Sequence, residues 1–283
     1  MADDPVTDAR EAAREADRAR FARLVAQPEP DIDLAAGALI IAGLDREIEP
    51  EPWITTLDDI AARVRLRLDR GDDEDRVLDV LHATLYRELG FRGLRASERA
   101  QPSHSWLDLV LARRIGLPIL ISIVELEVAW RLGLELWGIG FPGHFLVGGR
   151  DGLVIDPAQG GRRLTRDDCQ ALLRRSVGHR VMLHTGMLRP VGRREILARV
   201  LRNLRVARLS ARHWPAALGV VELLAVIEPT RPDHVRDRGL LLGRMGRFTE
   251  STTELRRYLH ERPDATDVED VRQVIGIFGG RRN

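Results

Sequence analysis

The sequence contains no lysine; all 44 of its basic residues are arginine. That removes Schiff-base lysine chemistry, the lysine of phosphate-binding loops and the lysine of kinase-type sites. It contains one cysteine, Cys169, so neither an internal disulfide nor a multi-cysteine zinc site can form. Long apolar runs are missing too. The longest uncharged apolar stretches, Leu34–Leu44 and Ile115–Val124, fall well short of the ~20 residues needed to span a bilayer. Met1–Glu15 is charged and lacks the apolar stretch of a leader. No membrane attachment is expected, and a reduced, cytoplasmic setting fits. The eight histidines are scattered without an HxxxH or HExxH pair, so no metal and no other cofactor is expected.

What is present is ample for folding. The 283 residues are 44% hydrophobic and 31% charged, which supports a real core in one large or two modest domains. The net charge of +1 hides an asymmetry: residues 1–70 carry −6, residues 71–161 carry −4 and residues 162–283 carry +11. Most of the excess lies in Arg162–Arg208, with 13 arginines against three acids. Such a block can meet nucleic acid or an acidic partner. No aromatic residue interrupts it to stack on bases, which disfavours nucleic acid. Docking of the basic segment on the acidic N-terminal half is the favoured reading.

Asp8–Val25 is rich in Ala, Arg and Glu and reads as an exposed helix ended by Pro28 and Pro30. Asp33–Leu44 reads as a buried helix entered through an acidic cap. Leu57–Leu68 and Val77–Glu88 carry apolar residues at i, i+4, i+8 spacing, and Gly90 stops the second. Ser105–Arg113 is a further short helix, and Ile119–Leu132 a largely apolar one with Pro118 at its start. Leu134–Phe141, His144–Val147 and Leu153–Asp156, split by Pro142-Gly143 and Gly148–Gly152, read as strands. Thr165–Asp168 has the capping-box pattern of a helix that continues through Cys169–Arg175.

From Arg194 the pattern is purely helical and repeats. Trp214 and Phe248, Ala225 and Leu259, and Pro229 and Pro263 are each 34 residues apart. An aromatic opening a helix and a proline closing it at that period is the tetratricopeptide signature. Trp214–Glu228 and Phe248–Glu261 are then the second helices of two stacked hairpins.

One constellation has the makings of chemistry. If Gly148–Gly152 is a tight hairpin, His144 and Asp156, equidistant from Arg150, lie directly opposite on one face, with Cβ atoms ~5 Å apart. An Asp beside a His fixes its tautomer and raises its basicity, the base–orienter half of a triad. The same pair also serves as a structural hydrogen bond. A nucleophile is best placed at a helix start. Here that place holds Ile119, Leu120, Ile121 and Ser122, with Ser122 the only hydroxyl and no thiol. Cys169 falls in an amphipathic helix, where a lone cysteine is usually packing.

The run Gly116-Leu117-Pro118, Glu125–Ala129, Arg131–Leu134, Gly138–Leu146, Asp156-Pro157 and Gly160-Gly161 resembles the SirB-type bacterial branch of the transglutaminase-like superfamily. Leu89–Gly93 and the tetratricopeptide-like tail resemble it too. The resemblance covers about residues 33–261 and is most specific at Gly140-Phe141-Pro142-Gly143-His144-Phe145. It implies an α+β fold: a helical N-terminal part and a papain-like core in which a helix packs on antiparallel strands, followed by an all-α tetratricopeptide-like module. The implied domains are 1–32, a charged helix and linker; 33–190, the transglutaminase-like domain; and 191–283, the repeats. His144 and Asp156 match the last two members of the superfamily triad, and the cysteine position falls within Ile119–Ser122, which holds no cysteine. Near Gln101–Ser105, relatives often carry Asn where His104 stands. His104, Trp106, Gly143 and Gln159 are the candidate binding residues around the remnant triad.

Three functions compete. A transglutaminase-like protein lacking the nucleophilic cysteine would be a non-catalytic interaction or regulatory protein with a protein or peptide partner. An acyl-transfer or hydrolytic enzyme would use His144 and Asp156 with Ser122 or water. A nucleic-acid-associated regulator would use Arg162–Arg208. The missing cysteine favours the first, and the lack of a helix-turn-helix pattern disfavours the third.

Overall fold

A computed structural model describes residues 5–95, 97–98 and 101–280. Its contacts divide the chain into two compact units, residues 28–200 on one hand and residues 1–27 with 201–283 on the other. The N-terminal helix is thus grouped with the repeats, and the division at 200/201 falls inside a helix.

Helix α1 is Pro5–Val25. The larger unit then opens with α2, Leu34–Ala42, where the Asp33 carboxylate caps the Ala36 amide at 2.8 Å and every residue but Ala36 is buried. Helix α3, Glu51–Arg65, buries Leu57, Ile60, Ala61 and Val64. It begins earlier than the apolar period indicates, because Pro52 suits a first turn. Helix α4, Glu74–His82, is capped by Asp73. It runs into a π-helical turn at Ala83–Glu88, where the Leu89 amide donates to the Thr84 carbonyl five residues back at 2.9 Å. Two-residue strands β1 (Arg92–Gly93) and β2 (Ile115–Gly116) pair in parallel and enclose α5, Leu107–Arg113.

The central helix α6, Pro118–Arg131, buries eleven consecutive residues from Ile119 to Ala129. Each fully buried Ile, Leu or Val contributes about 1.5–3 kcal/mol, so packing, not propensity, holds this helix in place. It packs against the five-stranded antiparallel sheet β6-β5-β4-β3-β7. The strands are β3 Trp137–Ile139, β4 Leu146–Gly148, β5 Val154–Asp156, β6 Arg162–Arg163 and β7 Pro190–Val191. They are shorter than the sequence indicates, since glycines and turns break the ladder early.

Helix α7, Arg166–Val177, starts with the expected capping box of Thr165 and Asp168. Its Cys169, Leu172 and Leu173 form a core with Ile139, Leu146 and Val154 of the sheet. Val147 and Ile155, paired across the ladder, are fully buried on the opposite face.

Helix α8, Arg193–Ser210, leads into the smaller unit. There α9 (Trp214–Ile227), α10 (Asp233–Arg244), α11 (Phe248–Glu261) and α12 (Val268–Gly279) pack in sequence, and α1 lies against α9. Both α9 and α11 are 14 residues long and start 34 residues apart. Their capping backbones agree: φ/ψ is −85/75 at His213 and −80/63 at Arg247, then −123/60 at Glu228 and −136/66 at Arg262. Helices α9 and α11 are thus equivalent in length, spacing and caps, and α11 pairs with α10 in a hairpin.

Candidate functional site

Phe141-Pro142-Gly143-His144 forms a tight turn in which the His144 amide donates to the Phe141 carbonyl at 3.1 Å. Pro142 and Gly143 hold its central positions, and Gly143 has φ +69, the pattern of a type II turn. A side chain at Gly143 would also meet the Ser176 Cβ at 2.7 Å. The turn is clamped from outside by Arg199, whose guanidinium donates to the carbonyls of Phe141 and His144, each at 2.7 Å.

His144 sits just before β4 and bonds through Nε2 to Asp156 Oδ1 at 3.0 Å. The expected register is corrected. Val147 pairs with Ile155 and Gly148 with Val154, so the hairpin centres on Asp151, not Arg150, and His144 is not directly opposite Asp156. The helical turn Arg150–Gly152 and the positive φ of Asp151 (+53) take up the extra loop. The displacement is two residues, which preserves side-chain parity where a shift of one would reverse it. The pair therefore still meets.

Asp156 is fully buried at the end of β5. The Gln159 amide nitrogen donates to its second oxygen, so both oxygens accept. An ionised carboxylate only accepts, so in the tautomer that matches it Nε2 of His144 donates and Nδ1 of a neutral ring keeps its lone pair. Among the described residues Nδ1 has no protein hydrogen-bond partner, and the side chain is 16% exposed.

The remaining sequence candidates lie in other settings. Ser122 is fully buried, and its hydroxyl donates to the Pro118 carbonyl one turn back at 3.0 Å; no described hydrogen bond joins it to His144. His104 Nδ1 accepts from the Gln101 amide at 3.0 Å, and burial lowers its pKa. Trp106 lies under the Arg46 guanidinium, 4.8 Å from the ring centre, and the single nitrogen Nη2 of Arg46 reaches both oxygens of the buried Asp108, each at 2.5 Å. Cys169 is buried in the core, and that burial raises its thiol pKa, the opposite of an activated thiol.

Sequence reasoning missed a second polar cluster. Glu125, fully buried on α6, accepts from Tyr86 on one oxygen, and its other oxygen lies 2.9 Å from His82 Nε2. The Tyr86 phenol is pushed well above its ordinary value, first by burial, then by Glu125, with a smaller contribution from Asp156 that puts the two clusters within electrostatic reach. Two residues on, the same helix also buries Glu127, which accepts from the Ala35 amide at 2.9 Å and from Arg131. Burial raises its pKa. An unpaired buried carboxylate costs several kcal/mol, and these partners offset that. Two glutamates inside an otherwise apolar helix were the available signal. Among the described residues no group of three His, Cys, Asp or Glu side chains could hold a metal.

A helix packed on an antiparallel sheet whose strands carry a hydrogen-bonded His and Asp defines a papain- or transglutaminase-like core, here followed by helical repeats. Comparison with known proteins agrees. Residues 51–202 match the transglutaminase-like superfamily and residues 204–276 the tetratricopeptide repeat. The chain belongs to the transglutaminase-like superfamily. It is 36% identical over 194 residues to a UPF0162 protein of Xylella fastidiosa, covering 66% of this chain and 69% of that one. A UPF0162 protein of Vibrio cholerae is 29% identical over 221 residues, or 74% and 79% of the two chains. Protein SirB1 of Salmonella typhimurium is 27% identical over 213 residues, or 74% and 78%. No solved structure matches the chain.

Proposed function

We propose that this is a non-catalytic member of its superfamily: an interaction or regulatory protein of the cytoplasm. The transglutaminase-like unit keeps a binding cleft, and the repeat region takes a protein or peptide partner. The carrying observation is the start of α6. The superfamily places its thiolate there, while this chain buries Ile119, Leu120, Ile121 and Ser122. The Ser122 hydroxyl is held by its own helix. A serine hydroxyl needs strong activation to act as a nucleophile, and a thiol does not. His144, Asp156 and Gln159 persist as a hydrogen-bonded unit that, with Gly143, gives the cleft a polar edge. His104 and Trp106 are kept in this reading as outer lining.

One observation favours the alternative of a hydrolase. His144 is oriented by a carboxylate and its Nδ1 has no protein partner, as a base acting on water requires. Assays of amine incorporation and peptide cleavage separate the two. No turnover above buffer is expected from the full chain. Turnover abolished by Cys169→Ala would overturn the proposal. Turnover that survives Cys169→Ala but is lost in both Ser122→Ala and His144→Ala would establish the serine enzyme, and loss in His144→Ala alone the water-using one.

A further inference from the structure

Within the larger unit, a cavity of about 530 Å3 opens between α4, its π-helical extension and the loop after Asp156. Four arginines line it, Arg67, Arg76, Arg87 and Arg163, with Asp79 the single lining carboxylate. Arg67 is held by Glu88, and Arg163 by Asp75 at 2.9 Å and Asp79 at 3.5 Å. Arg76 and Arg87 have no side-chain partner among the described residues, so two guanidinium groups face the cavity with their charge uncompensated.

The loop on the other side packs close against the helix. Gly160 and Gly161 both have φ +74, and a Cβ at Gly161 would lie 2.6 Å from the Tyr86 ring and 2.9 Å from His82. The π-helical turn sets Ala83 and Arg87 on the helical wall, across from that loop; such turns are rare and frequent at functional sites. The volume lies in the range of small-molecule pockets, roughly 300–1,000 Å3. Guanidinium forks match planar or tetrahedral oxyanions bidentately.

From this geometry we infer that the cavity binds a small oxyanion of two or more negative charges, a phosphate compound or a polycarboxylate, with Arg76 and Arg87 as its principal contacts.

Calorimetric titration of the full chain at low salt, with pyrophosphate, ATP and citrate as separate probes, tests this. Saturable one-to-one binding of at least one probe is expected, and the preferred probe tells phosphate from carboxylate. The double variant Arg76→Gln/Arg87→Gln should bind about tenfold more weakly or worse, since a hydrogen bond to a charged group is worth roughly 1.5–3 kcal/mol. Both side chains are exposed, so its circular dichroism should match the parent. Arg175→Gln, an exposed arginine of α7 outside the cavity, should bind like the parent. Absence of saturable binding by every probe, or equal binding by the double variant, overturns the inference. So does a dependence on Arg76 and Arg87 seen only with duplex DNA or RNA.

Discussion

At the scale of single residues, the buried carboxylates of Asp156 and Glu125 are held by matched partners. Asp156 and Glu125 each use both oxygens, and each places one of them against a histidine nitrogen. The two tyrosines of the chain behave alike. Tyr86 and Tyr258 are both raised above the ordinary phenol value of 10, in each case first by burial and then by a carboxylate, Glu125 or Asp267. The fold therefore favours the neutral phenols, while the unfolded chain ionises them near pH 10. Their contribution to stability is complete below pH 10 and is lost as pH rises through the folded values. In an alkaline titration, tyrosinate absorbance should appear together with loss of helical circular dichroism, above the pH of free tyrosine. Ionisation of both phenols near pH 10 with the helical signal intact would contradict this.

At the scale of elements, close approach between helices rests on absent side chains. Helix α10 carries Gly239 and Gly243 one turn apart. A Cβ at Gly239 would lie 2.8 Å from the Leu255 side chain and 3.2 Å from its backbone nitrogen on α11. At Gly243 it would lie 2.2 Å from the Phe278 ring on α12. Relief at Gly239 must come partly from backbone, because Leu255 is fully buried. Gly239→Ala should thus lose about 1–3 kcal/mol by overpacking, although alanine in an open helix gains up to ~1 kcal/mol over glycine. Urea denaturation decides the sign; a midpoint equal to or above the parent's would show that α10 and α11 can move apart freely.

At the scale of the whole molecule, the arginine-rich stretch is answered in part from within, five of its 13 arginines having carboxylate partners. Arg162 pairs with Asp168, Arg163 with Asp75 and Asp79, Arg194 with Glu29, Arg202 with Glu228 and Arg205 with Asp237. Arg199 is turned to the carbonyls of the His144 turn. Exposed pairs of this kind add only about 0–1 kcal/mol each to stability, but they weaken the field that would attract a polyanion. Duplex DNA should therefore not be retained at physiological ionic strength in a gel-shift titration with the full chain. Retention there, weakened by substituting Arg174, Arg175 or Arg180, would restore the nucleic-acid reading. No helix among the described residues is long and apolar enough to cross a membrane.

The sequence by itself determined the features that depend on neighbours along the chain. The capping of α2 and α7, the proline-led start of α6 and the Pro-Gly turn before His144 are local rules written in adjacent residues, and the 34-residue repeat shows as a period along the chain. The meeting of His144 with Asp156 was legible for a related reason: strand parity survives an error of two residues. Tertiary structure alone decided the rest. The hairpin's centre shifted because Asp151 accepts a left-handed backbone within a helical turn. Strands β1, β2, β6 and β7 are two residues long, too short for any period to show. The Glu125 cluster, the Arg199 clamp and the cavity of Arg76 and Arg87 join residues that packing alone brings together. His82 and Glu125, for example, lie 43 positions apart. Burial makes such pairings decisive, because a charge removed from water must find its partner wherever the fold presents one.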